Sequence, residues 1–112
     1  IQVDFDAEKV PLAFRGMAAL CLYRVFQEAL RNTAQHAHAT AVHVFLGGGG
    51  RAIRMRITDD GCGFDKQQIR KKRRFGLVSM EERVRLAGGS LTVDSEPGGG
   101  TQIEVFVPKE AI

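Results

Sequence analysis

The apolar positions of this chain change period from segment to segment. Residues 1–5 (IQVDF) alternate apolar and polar, the period-two signature of a half-buried strand, and Pro11 closes that region with a turn. From Gly16 the period lengthens. Leu22, Val25, Phe26, Ala29 and Leu30 recur at three- and four-residue steps, while Arg24, Gln27, Glu28, Arg31, Asn32 and Gln35 occupy the remaining positions. This predicts a long amphipathic helix ending near Ala37. Alternation then returns at Val42, Val44 and Leu46 and again at Ile53, Met55 and Ile57, two strands of a hairpin joined across four glycines at 47–50. Helical spacing reappears over 77–87 (LVSMEERVRLA) at Leu77, Met80, Val84 and Leu86 or Ala87, with Gly88 and Gly89 as the stop. A second hairpin follows: Leu91 and Val93, a turn at 96–100 (EPGGG), then Ile103, Val105 and Val107 before Pro108.

The predicted order is strand, long helix, two strands, helix, two strands. Strands arriving in adjacent pairs favour an α+β architecture, a mixed and mainly antiparallel five-stranded sheet with helices packed on one face, over a doubly wound sheet. With 112 residues, 44% of them hydrophobic, a single domain spanning 1–112 can form one core, since a chain of this size buries roughly 60 to 70% of its unfolded surface. The chain enters its first alternating segment directly at Ile1, and the expectation is a domain cut from a longer protein. The most apolar stretch, 16–23 (GMAALCLY), falls far short of the ~18 residues that cross a bilayer, and no secretory leader opens the sequence. Cys21 and Cys62 form no CxxC pair, which points to a reducing, cytoplasmic setting rather than a disulfide scaffold.

The net charge of +3 is unevenly placed. Residues 66–74 (KQQIRKKRR) hold six positive charges and no negative ones, so the rest of the chain sums to −3. A binder that covers nucleic acid with its whole surface is disfavoured, and the run calls for a local anionic partner.

Three places put polar residues or glycines where a plain core has no use for them. Glu28 and Asn32, four apart on the long helix, project from one face about a turn apart. A carboxylate and an amide oxygen at that spacing can share a metal ion, or hold a metal and a proton acceptor side by side; a solvated helix face would present the same pair. Residues 59–63 (DDGCG) follow a strand directly. Asp59 there can accept a hydrogen bond from an exocyclic amine, and Gly61 and Gly63 permit close backbone approach, although an ordinary turn also favours these residue types. Gly98, Gly99, Gly100 and Thr101 lead into the last strand, where a hairpin turn accounts for the glycines equally well. Neither a GxxxxGK phosphate loop nor a complete GxGxxG fingerprint occurs.

In this order and at these separations, the three places resemble the ATP-binding domain of the GHKL superfamily, which groups gyrase, heat-shock chaperones, histidine kinases and MutL. More narrowly, the chain is similar to the catalytic domain of sensor histidine kinases paired with NarL/LuxR-type response regulators. Residues 22–40 (LYRVFQEALRNTAQHAHAT) match the N box, 59–65 (DDGCGFD) the G1 box, and 75–108 the G2 region with the last hairpin.

The resemblance implies the Bergerat ATP-binding fold and ATP with Mg2+. It implies that Asn32 holds the metal and that Glu28 serves as base or polariser for the histidine to be phosphorylated. Asp59 would accept from the adenine amine, Gly61 and Gly63 would pass close to base and ribose, and Thr101 would hydrogen-bond near Asp59. Gly76 and Leu77 would open a helix whose free N–H groups face phosphate. The implied partners are a dimerisation domain bearing the acceptor histidine and a downstream response regulator, with no direct nucleic-acid or membrane contact. Related kinases often carry Lys where this chain has Gln35, and the segment before Gly76 lacks the F box of longer-lidded kinases. His36, His38 and His43 lie in no segment like a phosphoacceptor helix and are assigned structural or solvent roles. Three alternatives stay open: an anti-sigma-type serine kinase of the same superfamily, a nucleic-acid-binding module built on the basic run, and a structural or interaction-only domain.

Overall fold

The computed structural model describes residues 2–10, 16–48, 50–63 and 76–108, with the side chains of 36 and 37 left aside. Five strands and two α-helices follow the predicted order: β1 (Gln2–Glu8), α1 (Met17–Asn32), β2 (Ala41–Gly47), β3 (Ala52–Asp59), α2 (Leu77–Leu86), β4 (Ser90–Ser95) and β5 (Thr101–Pro108). The strands form one sheet in the order β1-β2-β3-β5-β4. β1 runs parallel to β2, and the other three pairings are antiparallel. The first strand extends three residues past the predicted Phe5, because the register of its parallel pairing carries it on to Glu8 opposite Gly47.

The alternating residues of β2 to β5 bury one face, whereas β1, expected to be half-buried, is the edge strand of the sheet and leaves Val3 and Phe5 exposed. In the β3–β5 register Ile53 lies opposite Val107, Met55 opposite Val105 and Ile57 opposite Ile103, and all six are buried. They pack with Val42, Val44 and Val93 against Ala18, Cys21, Leu22, Val25 and Ala29 of α1 and Leu77, Met80 and Val84 of α2. Phe26 and Leu30 of the predicted stripe are partly buried on this core. The alternative left open at the end of α2 resolves to Ala87, which packs on the core while Leu86 is 69% exposed; Ala87 continues the three- and four-residue steps from Leu77, Met80 and Val84. The outer face sets charged side chains around the Phe45 and Phe106 rings. There Glu104 accepts from Arg54 Nε at 2.7 Å and from Arg56 Nε at 3.4 Å, and both guanidinium groups lie within about 6 Å of the Phe45 ring centroid. The Arg54 hydrogen bond chiefly holds the Glu104 carboxyl below its ordinary value.

The end of α1 departs from regular helix. Thr33–Ala37 form one π-type turn, and His38 then takes a left-handed conformation at φ 52° that turns the chain toward β2. Single π-type turns in a helix commonly accompany functional sites, and this one delivers Thr33 toward the end of β3.

Candidate functional site

Asp59 occupies a position that the strand pattern reserves for an apolar side chain. Ile53, Met55 and Ile57 bury one face of β3, and Asp59 continues that same alternation at the strand's C-terminal end. Two donors hold its carboxylate. Thr33 Oγ1 donates to Oδ2 at 3.2 Å, and the Gly61 backbone N–H donates to Oδ1 at 2.8 Å. Thr33 itself is buried, and its single hydroxyl hydrogen is shared between Asp59 and the Ala29 carbonyl oxygen, which accepts at 3.0 Å. The result is a fixed hydrogen-bond acceptor at the edge of the core, beneath the end of α1.

The glycine-rich turn closes on this loop. Cys62 O accepts from Gly98 N at 2.5 Å. At Gly63, φ is +66° and a Cβ would stand 2.0 Å from the Glu96 carbonyl oxygen, so only glycine lets the two loops meet. The need for glycine there comes first from the neighbouring turn, whereas the resemblance implied close passage of base and ribose. Thr101 lies opposite Asp59 in the β3–β5 register and is buried. Its hydroxyl pairs with Ser95 Oγ at 2.8 Å, while the hydroxyl bonded to Asp59 is that of Thr33.

Glu28 and Asn32 project from α1 on neighbouring turns, and both are partly buried. Glu28 pairs with Arg31 at 3.9 Å. Across from Glu28 stands Gly76, the residue that precedes α2. Its φ is +64°, and a Cβ there would fall 2.8 Å from the Glu28 carboxyl carbon. Leu77 buries its side chain in the core and can offer the site only its main chain. Among the described residues no side chain caps the start of α2, and its first turn carries no acidic residue, which leaves that end suited to an anion.

Asp60, next to Asp59, has a separate task. Its carboxylate accepts from Thr40 Oγ1 at 2.6 Å, Thr40 N at 2.8 Å and Ala41 N at 3.0 Å. These bonds, the Thr40 hydroxyl first, hold its pKa below the ordinary value. The first of two consecutive carboxylates therefore faces the site, and the second ties the loop to the start of β2. The basic run 66–74 and Phe75 lie outside the described residues.

Residues 18–111 match the family described as histidine kinase-, DNA gyrase B-, and HSP90-like ATPase. The chain belongs to this ATPase family. It is 41% identical over 111 residues to an uncharacterized sensor-like histidine kinase of Chloroflexus aurantiacus, covering 95% of this chain and 18% of the relative. It is 40% identical over 108 residues to the signal transduction histidine-protein kinase/phosphatase DegS of Brevibacillus brevis, covering 96% and 28%. Sensor histidine kinase LiaS of Bacillus subtilis is 45% identical over 87 residues, covering 78% and 24%. The chain thus spans less than a third of the length of these relatives. Among solved structures, the ATP binding domain of PrrB from Mycobacterium tuberculosis superposes with a TM-score of 0.69 at 23% identity, covering 95% of this chain and 79% of that one. The histidine kinase domain of the Erythrobacter litoralis EL346 blue-light activated kinase gives a TM-score of 0.72 at 22% identity, over 98% and 58%. Both likenesses establish the fold.

For this member of the ATPase family, the structure brings Asp59, Gly61, Gly63 and Thr101 together at one end of the sheet and sets Glu28 beside Gly76, which precedes Leu77, while Asn32 stands at the end of α1 one turn beyond Glu28. Sequence reasoning missed Thr33. Its signal was present: a hydroxyl residue four after Ala29, continuing the buried stripe of α1, where only a partnered polar group is tolerated.

Proposed function

We propose that this chain is the ATP-binding catalytic domain of a sensor histidine kinase, a single unit within a longer cytoplasmic or membrane-anchored protein. It would pass the γ-phosphoryl of ATP to a histidine on a separate dimerisation domain, for relay to a response regulator of the NarL/LuxR type. The observation that carries this reading is the Asp59 carboxylate, set at a core-facing strand position and oriented by Thr33 and Gly61. An acceptor so placed suits the exocyclic amine of adenine and disfavours guanine, whose carbonyl oxygen would oppose it. The names of the relatives support a histidine rather than a serine acceptor.

The residues present fit the groups this reading requires. Among the described residues no three His, Cys, Asp or Glu side chains converge as a metal cage, so a divalent ion at Asn32 would take its other ligands from phosphate oxygens and water, as Mg2+ commonly does. Mg2+ supplies neutralisation of charge on the transferred group. Asn32 would offer its amide oxygen to the ion, and the start of α2 after Gly76 would offer main-chain N–H groups to phosphate. Glu28, one turn from Asn32, is placed to accept or polarise the proton of the incoming imidazole. Positioning of this kind supplies most of the catalysis in phosphoryl transfer.

The deciding experiment is titration calorimetry with Mg-ATP on the chain and on Asp59→Asn. A hydrogen bond to a charged group is worth about 1.5 to 3 kcal/mol, so the variant loses ATP affinity by about 10- to 150-fold while its far-UV circular dichroism stays unchanged. Equal binding of both proteins would refute the assignment.

A further inference from the structure

Glu28 lies in a cleft of about 220 Å³ between the two helices, whose arginines the functions above leave unused. α1 lines it with Arg24, Glu28 and Arg31, and α2 with Ser79, Met80 and Arg83. Arg24, Glu28 and Arg31 follow the i, i+4, i+7 spacing of one helical stripe, so the two arginines stand two turns, about 10 Å, apart on the same face. Three guanidinium groups therefore share one cleft with a single carboxylate. That carboxylate is partly engaged, with Glu28 lying 3.9 Å from Arg31. On α2, Glu82 pairs with Arg85. Among the described residues, Arg24 and Arg83 have no carboxylate partner, and both are exposed. Like charges gathered in one cleft repel, and the repulsion is relieved when an anion enters.

We infer that this cleft is the docking site for acidic side chains on a helix of the phosphoacceptor domain, with Arg24 and Arg83 as its anchors. The inference rests on the kinase reading and deepens it. The cleft opens at the surface, so acidic side chains would enter it while the partner helix lies across its mouth. Arginine suits this task because its planar fork binds a carboxylate in a bidentate manner. Docking here sets the incoming helix directly beside Glu28 and across from Gly76. Arg24 and Arg83 are then positioning residues, acting on where the acceptor histidine stands and touching neither nucleotide nor imidazole.

The test compares Arg24→Glu/Arg83→Glu with the parent in the full-length kinase, measuring autophosphorylation at saturating Mg-ATP and Mg-ATP affinity by calorimetry. Charge reversal at a docking surface acts on association and its salt dependence. The autophosphorylation rate should fall about tenfold with Mg-ATP affinity within about twofold, and the decline of the parent's rate with rising salt should be lost in the variant. Arg24→Lys/Arg83→Lys should retain most of the rate. Changing one acidic residue of the acceptor helices to Lys should restore the reversed variant. An unchanged rate, or a rate that falls in step with ATP affinity, overturns the proposal; the second result would make the cleft a phosphate subsite. Failure of the unsubstituted kinase to bind Mg-ATP would overturn the kinase reading instead.

Discussion

At the scale of single residues, chemistry is separated by position more than by type. Asp59 and Asp60 are adjacent carboxylates, yet alternation along β3 turns the first toward the core side while the second reaches Thr40 and Ala41. Glu28 and Asn32 are separated in the same way by one helical turn, and each has its own test. Asn32→Ala should weaken ATP binding about tenfold or more when Mg2+ is present, in keeping with the loss of a metal ligand's contribution, and little in excess chelator. Calorimetry with and without the metal decides this, since equal losses would remove Asn32 as a ligand. Glu28→Gln keeps size and hydrogen-bonding capacity but removes the base. Mg-ATP affinity should stay within about twofold while phosphorylation of the acceptor histidine in the full-length kinase slows by about 10²- to 10⁴-fold, the usual weight of general acid–base catalysis. An unchanged rate by phosphohistidine assay would take Glu28 out of the mechanism.

At the scale of elements, the site is assembled by the ends of secondary structure. The π-type turn after α1 lowers Thr33 onto Asp59, the register of β3 and β5 sets Thr101 beside it, and the glycine turn before β5 seals the loop through Gly98 and Cys62. Asp60 is the tie between the loop and β2, and it makes that tie sensitive to acid. Its folded pKa lies below the ordinary value, so its stabilising bonds are fully present above about pH 4 and are withdrawn as pH falls through the lower folded value. Asp60→Ala should lower the melting temperature at pH 7. The gap between variant and parent should close as pH is lowered below about 4, which thermal melts by circular dichroism across that range would follow. A gap independent of pH would mean that the carboxylate charge contributes nothing.

At the scale of the whole molecule, nucleotide and fold are coupled, because the groups that would hold ATP come from α1, β3, β5 and the start of α2 together. A ligand bound only by the folded state stabilises it by about 2.7 kcal/mol at a hundred times its dissociation constant. Mg-ATP at that excess should raise the melting temperature by several degrees, roughly 4 °C or more per kcal/mol for a domain near this size, and the same concentration of Mg-GTP should not. Scanning fluorimetry reads both, and equal shifts would contradict the adenine role of Asp59. The periodicity of apolar residues alone determined the number, type and order of the elements, the stripe of α1 from Leu22 to Leu30 and the alternating faces of β3 and β5. These are properties of residues within one or two turns of each other, so they are legible locally. The four-residue spacing of Glu28 and Asn32 and the place of Asp59 at the end of a strand marked them as candidates, and the GHKL resemblance supplied the roles they would play. Only the tertiary structure decided that β5 inserts between β3 and β4, that Thr33 rather than Thr101 carries the hydroxyl on Asp59, and that Gly63 answers to Glu96. Each depends on a contact between residues far apart in the chain, chosen by which faces can be buried together and which buried polar groups find partners, and no local pattern encodes that choice.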